Sequence, residues 1–235
     1  MVRLVATLPC HNDAEFLEKA VKTLKNETAK LAKDFVVVIA EDGSKDGSAE
    51  IARKLAAEDK RVLHIHADKK LGRGKALMNA WSRVNGDIYV YVDCDLATDM
   101  QFYPRLIKSI KNGCDLATGS RYVAGAVCHR PPLRRFSSLI YNCMIRLLFR
   151  DWIRDHQCGF KAFSKKMVEF MLKECRNSDW FWDTEAIVLA CRNGFKVCEF
   201  PVRWTEKKGR RTPLKRLVKD VWIHGKGILD LLRRM

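Results

Sequence analysis

Ile88-Tyr89-Val90-Tyr91-Val92-Asp93-Cys94-Asp95-Leu96-Ala97-Thr98-Asp99 decides the reading of this chain. Five β-favouring residues run without a polar break and end on a pair of aspartates. An apolar run of that length, closed by polar residues, reads as a strand buried on both faces. Comparable runs stand at Arg3–Leu8, Phe35–Ala40, Val62–Ile65 and Asp115–Thr118. Between them, 14–24, 48–57, 75–84 and 102–111 space their apolar residues for helices. Strand and helix alternating at this rhythm predict an α/β fold, one domain with a mostly parallel central sheet flanked by helices. No internal repeat or low-complexity linker divides it.

Ligands of such sheets bind beyond the carboxyl ends of the strands. The segments found there are Pro9-Cys10-His11-Asn12-Asp13, Glu41-Asp42-Gly43-Ser44-Lys45-Asp46-Gly47, Asp68-Lys69-Lys70-Leu71-Gly72-Arg73-Gly74-Lys75 and the acidic stretch that follows Val92. Four charged loops therefore gather on one edge of the sheet.

With 235 residues, 47% hydrophobic and 31% charged, the chain can bury a sizeable core. Its 44 Lys and Arg against 28 Asp and Glu give a net charge of +16, which predicts attraction to something anionic. No run of about 18 apolar residues exists, so no transmembrane helix is expected. The opening residues are too short an apolar stretch for a signal peptide and read as a first strand. Nine scattered cysteines lack any Cys-x-x-Cys pair. They are expected to act as small hydrophobes in a reducing compartment, which places the protein in the cytoplasm or on the cytosolic face of a membrane.

Two carboxylates as near as Asp93 and Asp95 repel unless a cation intervenes. A hard divalent ion, Mg²⁺ or Mn²⁺, taking most of its shell from substrate phosphates suits them; the alternative is an Asp-rich turn. Asp42 is either a turn residue or an acceptor for a base N–H, and Ser48 suits a helix N-cap. Gly72-Arg73-Gly74-Lys75 lacks the spacing of a P-loop but offers cations to a phosphate. His64 and His66 share a strand face two apart, a spacing compatible with a metal, but without nearby Cys or acid ligands a metal is disfavoured there. Trp180, Phe181 and Trp182 read as core and pocket wall. Asp183 and Glu185 either orient sugar or acceptor groups or cap a helix start.

Six motifs in one order carry a family resemblance: Leu8-Pro9-Cys10-His11-Asn12, Glu41 to Gly47, Gly72 to Ala76, Asp93-Cys94-Asp95-Leu96, Gly119-Ser120-Arg121-Tyr122 and Asp155 to Phe163. From Leu4 to about Trp204 the chain resembles family 2 glycosyltransferases of the Rossmann-like GT-A fold, the dolichyl-phosphate mannose and glucose synthases above all. The resemblance implies inverting transfer of a hexose from a nucleotide-sugar donor to a polyprenyl or dolichyl phosphate acceptor. Pro9, His11, Asp13, Asp42 and Lys75 would line the donor pocket, with His11 standing where Tyr is more often seen and Asp13 where Glu is. Asp93 and Asp95 would bind metal and diphosphate. Arg121, Arg134 and Ser138 would hold the acceptor phosphate, whose oxygen attacks without a strong general base. Ala97-Thr98, Gln157-Cys158-Gly159-Phe160-Lys161, Trp182-Asp183-x-Glu185 and Trp204-x-Glu206 resemble the glucose synthases more, which favours UDP-glucose over GDP-mannose.

Residues 1–208 are thus expected to form the catalytic domain, and 209–235 a basic amphipathic helix at the membrane interface. There Arg210, Arg211, Lys215, Arg216, Lys219, Lys226, Arg233 and Arg234 interleave with apolar residues, and Gly225 and Gly227 are candidate interruptions. Leu133–Arg150 is a second such stretch. Both either pack on the sheet or dock on an anionic leaflet, and the lipid acceptor favours docking. Three rival readings are a soluble-acceptor glycosyltransferase, a processive polysaccharide synthase and a nucleic-acid-binding module. Phe200-Pro201-Val202-Arg203-Trp204 lacks the Gln of the synthases' Gln-x-x-Arg-Trp. The acidic strand-end loops, and the absence of any recognised nucleic-acid motif, weigh against nucleic acid as a partner.

Overall fold

The computed structural model describes residues 2–206 and 214–235, the side chains of 214–221 excepted. Strands β1 (Leu4–Cys10), β2 (Phe35–Asp42), β3 (Val62–Ala67) and β4 (Ile88–Val92) alternate with helices α1 (Ala14–Ala29), α2 (Ser48–Glu58) and α3 (Arg73–Trp81). Next come α4 (Tyr103–Lys111), β5 (Leu116–Ser120), β6 (Val127–His129), α5 (Pro132–Phe149), β7 (Phe160–Ser164) and α6 (Lys165–Glu174). The last elements are α7 (Trp182–Arg192), β8 (Val197–Pro201), β9 (Arg203–Thr205) and α8 (Leu214–Arg234).

Seven strands form one sheet in the order β3-β2-β1-β4-β7-β5-β8, and β6 and β9 make a small parallel pair. The central strands are hydrophobic on both faces because both are covered. Phe35, Val37 and Ile39 of β2 join Leu17, Ala20, Val21 and Leu24 of α1 on one side. Val36, Val38 and Ala40 join Leu77 and Ala80 of α3 and Ala186 and Ala190 of α7 on the other. The sequence left β7 unassigned. It runs antiparallel between β4 and β5, with Val92 opposite Phe160 and Ile88 opposite Ser164. This insertion brings Cys158-Gly159 against the end of β4, where Asp93 donates its amide to the Gly159 carbonyl at 3.1 Å.

Three expectations are corrected. Ser48 is not the N-cap of α2: Gly47 is, and the Ser48 hydroxyl donates to Asp46 at 2.6 Å and accepts the Asp13 amide at 3.0 Å. Cys114 and Cys198, 84 residues apart, form a disulfide, leaving seven free cysteines. Parallel pairing of β5 with β8 sets Ala117 beside Cys198 and draws the two thiols together. That bridge removes the cysteine-based case for a reducing compartment. Finally, neither Gly225 nor Gly227 interrupts α8.

Gly227 is instead where α8 meets the domain, since a Cβ there would lie 2.4 Å from the Phe181 ring. Ile228 and Leu231 bury against Ile145, Phe149, Phe181 and Val188. The C-terminal turns of α8 are therefore anchored on the domain. Arg210 and Arg211 lie outside the described residues, as do the side chains of Lys215, Arg216 and Lys219. Among the described residues, no helix is long and apolar enough to cross a membrane.

Candidate active site

The loops beyond β1, β2 and β3 are tied together by their own polar residues. His11 Nδ1–H donates to the Asp42 carbonyl at 2.6 Å, and the His11 amide to the Asp13 carboxylate at 3.1 Å. The Asn12 amide donates to the Ser44 hydroxyl, and the Lys45 amide to Asn12 Oδ1. The buried Asp42 carboxylate accepts the amides of Leu71 and Gly72 at 2.5 and 3.0 Å, so it clamps the third loop to the second. Pro9 accepts the Cys94 thiol at 3.3 Å, which joins the first loop to the aspartate pair. Pro9, His11, Asp13 and Asp42 are thus assembled at one edge, whereas Lys75 is exposed on the first turn of α3.

At the centre stands a chain of alternating charge. Arg73 begins α3, and its guanidinium lies 2.6 Å from Asp93 Oδ1 and 3.6 Å from Asp183 Oδ2. It is sandwiched over the rings of Trp180 and Tyr91 at 4.8 and 5.2 Å. Burial opposes its charge, but Asp93 and Asp183 outweigh it and raise its pKa above the ordinary arginine value. Lys161 of β7, fully buried, reaches Asp183 Oδ1 at 2.9 Å and donates to the carbonyls of Cys158 and His156. The Tyr91 hydroxyl also donates to Asp183. Burial, then Asp183, pushes that phenol up and keeps it protonated. Arg73, Tyr91 and Lys161 come from three separate elements; the Arg73 loop and the Gln157–Lys161 stretch are both motifs of the sequence, but nothing in it couples them.

Asp93 and Asp95 close β4 as expected, and Asp95 Oδ1 accepts the Ala97 amide at 3.1 Å. Both present hard carboxylate oxygens, and Asp93 remains 31% exposed. This donor set fits Mg²⁺ or Mn²⁺ with water and diphosphate oxygens filling most of the shell.

A second cationic group lies beyond β5. Arg121 is buried, and its Nε and Nη2 fork onto Asp155 at 2.7 Å each. Burial would raise the Asp155 carboxyl, but Arg121 lowers it below its usual value. Arg134 pairs with Glu206. Ser138 is buried and accepts from Arg130 Nη1 at 2.7 Å. Arg130, which the sequence did not single out, sits over the Trp204 ring with its Nε buried and no hydrogen-bond partner among the described residues. Burial, then the charge of Arg121, pulls its pKa below the ordinary arginine value. Among the described residues no carboxylate pairs with it.

The two acids of α7 part company. Asp183 joins the central charge chain. Glu185 faces the other way, where its carboxylate accepts the amides of Arg176 and Asn177 and the Arg234 guanidinium, fastening α8.

Residues 6–172 match the model of glycosyl transferase family 2. The glycosyltransferase AglD of Haloferax volcanii is 44% identical over 231 residues, 97% of this chain and 36% of its own length. The dolichyl-phosphate beta-glucosyltransferase ALG5A of Trichomonas vaginalis is 30% identical over 228 residues, 93% of this chain and 70% of its own. The chain therefore spans little more than a third of the first relative. Among solved structures, glucosyl-3-phosphoglycerate synthase from Mycobacterium tuberculosis, in complex with Mn²⁺, UDP and glucosyl-3-phosphoglycerate, superposes with a TM-score of 0.73 at 17% identity. It covers 98% of this chain and 80% of that one. This likeness shows the GT-A fold, and the family match over most of the domain settles membership: the chain belongs to glycosyl transferase family 2.

Proposed function

We propose that this chain transfers a hexose, glucose from UDP-glucose in the first instance, to a polyprenyl monophosphate. The observation that carries the reading is Arg130: a half-buried guanidinium with an orphaned Nε, crowded by Arg121, is a site that an anion completes. Ser138, in the second turn of α5, accepts from Arg130, and Arg134 lies in the first turn of the same helix. That helix exposes Leu133, Phe136, Ile140 and Leu147, at 76, 62, 53 and 74%. Cations meeting an anion next to an exposed apolar helix suit a phosphate on a lipid chain. The names of the curated relatives, a glycosyltransferase and a dolichyl-phosphate beta-glucosyltransferase, agree with this substrate class.

In this reading the acceptor phosphate, with a second pKa near ~6, arrives largely dianionic and needs no strong base. Its oxygen bonds to the anomeric carbon as the bond to the nucleoside diphosphate breaks, which inverts that centre. Arg130 and Ser138 orient the attacking phosphate, and Arg121, fixed by Asp155, adds to the positive field. Arg73 holds the Asp93 carboxylate in place and sets a permanent cation near the leaving group. Asp93 and Asp95 would hold a Mg²⁺ or Mn²⁺, whose chemistry when bound would be to offset the negative charge of a diphosphate. The Asp42 clamp keeps the donor loops closed on one another. The described residues meet the membrane at its surface, and the charge excess of +16 favours the anionic cytosolic leaflet.

Arg130→Ala tests the reading. With UDP-glucose and polyprenyl phosphate in mixed micelles, KM for the lipid phosphate should rise about tenfold or more, as for a lost charge-assisted contact, with donor KM unchanged. Unaltered acceptor kinetics would remove the phosphate role. Turnover with a soluble phosphate ester as efficient as with the lipid would favour the soluble-acceptor alternative.

A further inference from the structure

His64 and His66 project from one face of β3, the edge strand of the sheet, and take no part in the chemistry above. Parallel register sets Glu41, the penultimate residue of β2, beside His66 and Ile39 beside His64. The Glu41 side chain is fully buried, and its Oε1 accepts the Ser44 amide at 2.5 Å. Its other oxygen faces both imidazoles, 2.5 Å from His66 Nδ1 and 4.0 Å from His64 Nε2. The His64 side chain is 10% exposed, and its Nε2 is buried without a hydrogen-bond partner among the described residues. Leaving such a nitrogen unmatched costs free energy that a purely structural histidine avoids by finding a donor or acceptor. On the outer side, His66 Nε2 lies 3.4 Å from Asp68 Oδ1.

We propose that Glu41, His64 and His66 form a second metal site, for a divalent ion of the zinc class. Two imidazole nitrogens and one carboxylate oxygen are the donors of Zn²⁺ and Co²⁺, not of Mg²⁺. The three ligand atoms lie within 4.8 Å of one another. A tetrahedral ion with bonds of about 2.0–2.1 Å needs its ligands about 3.3 Å apart. The two Glu41–His distances, 2.5 and 4.0 Å, straddle that spacing and the two histidine donors lie within 4.8 Å of each other, so side-chain rotations alone can bring the three donors to it. Asp68 orients the outer nitrogen of His66, as carboxylates behind metal-bound histidines do. Solvent reaches the fourth position past His66, which is 44% exposed. Glu41 immediately precedes Asp42, so a bound ion fixes the strand end that carries the clamp on Leu71 and Gly72.

Calorimetric titration of the whole chain with Zn²⁺, in saturating Mg²⁺ to fill the hard Asp93/Asp95 pair, should give one site per chain. Co²⁺ in place of Zn²⁺ should give the intense visible bands of a four-coordinate ion without sulfur charge transfer. His66→Gln, at a half-exposed ring where folding is not at stake, should abolish both signals. Asp68→Asn should weaken binding about tenfold. Absence of a Zn²⁺ site overturns the proposal, as does Zn²⁺ binding that persists in both His66→Gln and Glu41→Gln. A sulfur-ligated Co²⁺ spectrum lost in Cys94→Ser would put the ion at Cys10, Asp13 and Cys94 and refute the histidine site.

Discussion

Gly159→Ala separates the chemistry of this site from the stability of its fold. A Cβ at position 159 would lie 2.0 Å from Asp93 Oδ2 and 2.4 Å from both Cγ and Oδ1. Since real Cβ atoms keep at least 3.0 Å from their neighbours, the carboxylate must retreat by 1.0 Å or more. It cannot do so and keep its 2.6 Å contact with Arg73, which is itself wedged between Tyr91 and Trp180. What moves is the end of a side chain that is 31% exposed, so the backbone pairing of β4 with β7 stays intact. The stability cost should stay near the lower end of the overpacking range, about 1 kcal/mol. A misplacement of about 1 Å at the reacting groups, by contrast, costs roughly 10²-fold in rate, or about 2.7 kcal/mol of barrier. The paired measurement is the initial rate of the proposed transfer, from UDP-glucose to polyprenyl phosphate, alongside a denaturant melt. A variant within about threefold of the parent in kcat/KM would refute the placement of Asp93 at the reacting centre. Lost activity that merely tracks a collapsed melt would refute the claim that the glycine serves the carboxylate rather than the fold.

Lys161→Met removes the fully buried cation of Asp183 and leaves two carbonyls without their donor. Chemical denaturation should show a loss of about 3–5 kcal/mol, and a loss below about 1 kcal/mol would mean that Asp183 is served by Arg73 and Tyr91 alone. Cys114→Ser opens a bridge between residues 84 apart and should lower stability by about 2–4 kcal/mol, matching the parent under reductant. Equal stability of oxidised and reduced parent would show that the bridge does not constrain the unfolded chain. Burial lowers the pKa of His224, which packs on Tyr141 and Phe181. The unfolded chain, with an ordinary value near 6.5, then takes up a proton before the folded one does. Stability should be fully present above about pH 6.5 and fall as pH drops through the window between the two values. His224→Gln should flatten that part of the profile, and an unchanged slope would acquit the residue.

The strands β1 to β5 and helices α1 to α4 were legible because each writes its period in local sequence. The central strands are continuous apolar runs, and α1 buries Leu17, Ala20, Val21, Leu24 and Thr28 at helical spacing. β7 was not, since Phe160-Lys161-Ala162-Phe163 carries a lysine in a strand whose both sides are buried. That lysine is tolerated only because Asp183, from a helix 22 residues on in the sequence, neutralises it. The first-half loops could be ranked as binding loops from strand ends alone. Arg130 and the Glu41–His66 contact could not, because each depends on which strands become neighbours. The same limit explains α7. Asp183 and Glu185 are two residues apart and chemically alike, yet helical geometry turns them roughly 200° from one another. One joins the charge chain of Arg73 and Lys161 and the other fastens the C-terminal helix, and no spacing rule distinguishes them until Arg73, Lys161 and Arg234 are in place. The acidic pair at the end of β4 is the converse case. Its position at a strand terminus follows from the apolar run before it, so fold and candidate chemistry were readable from one stretch of residues.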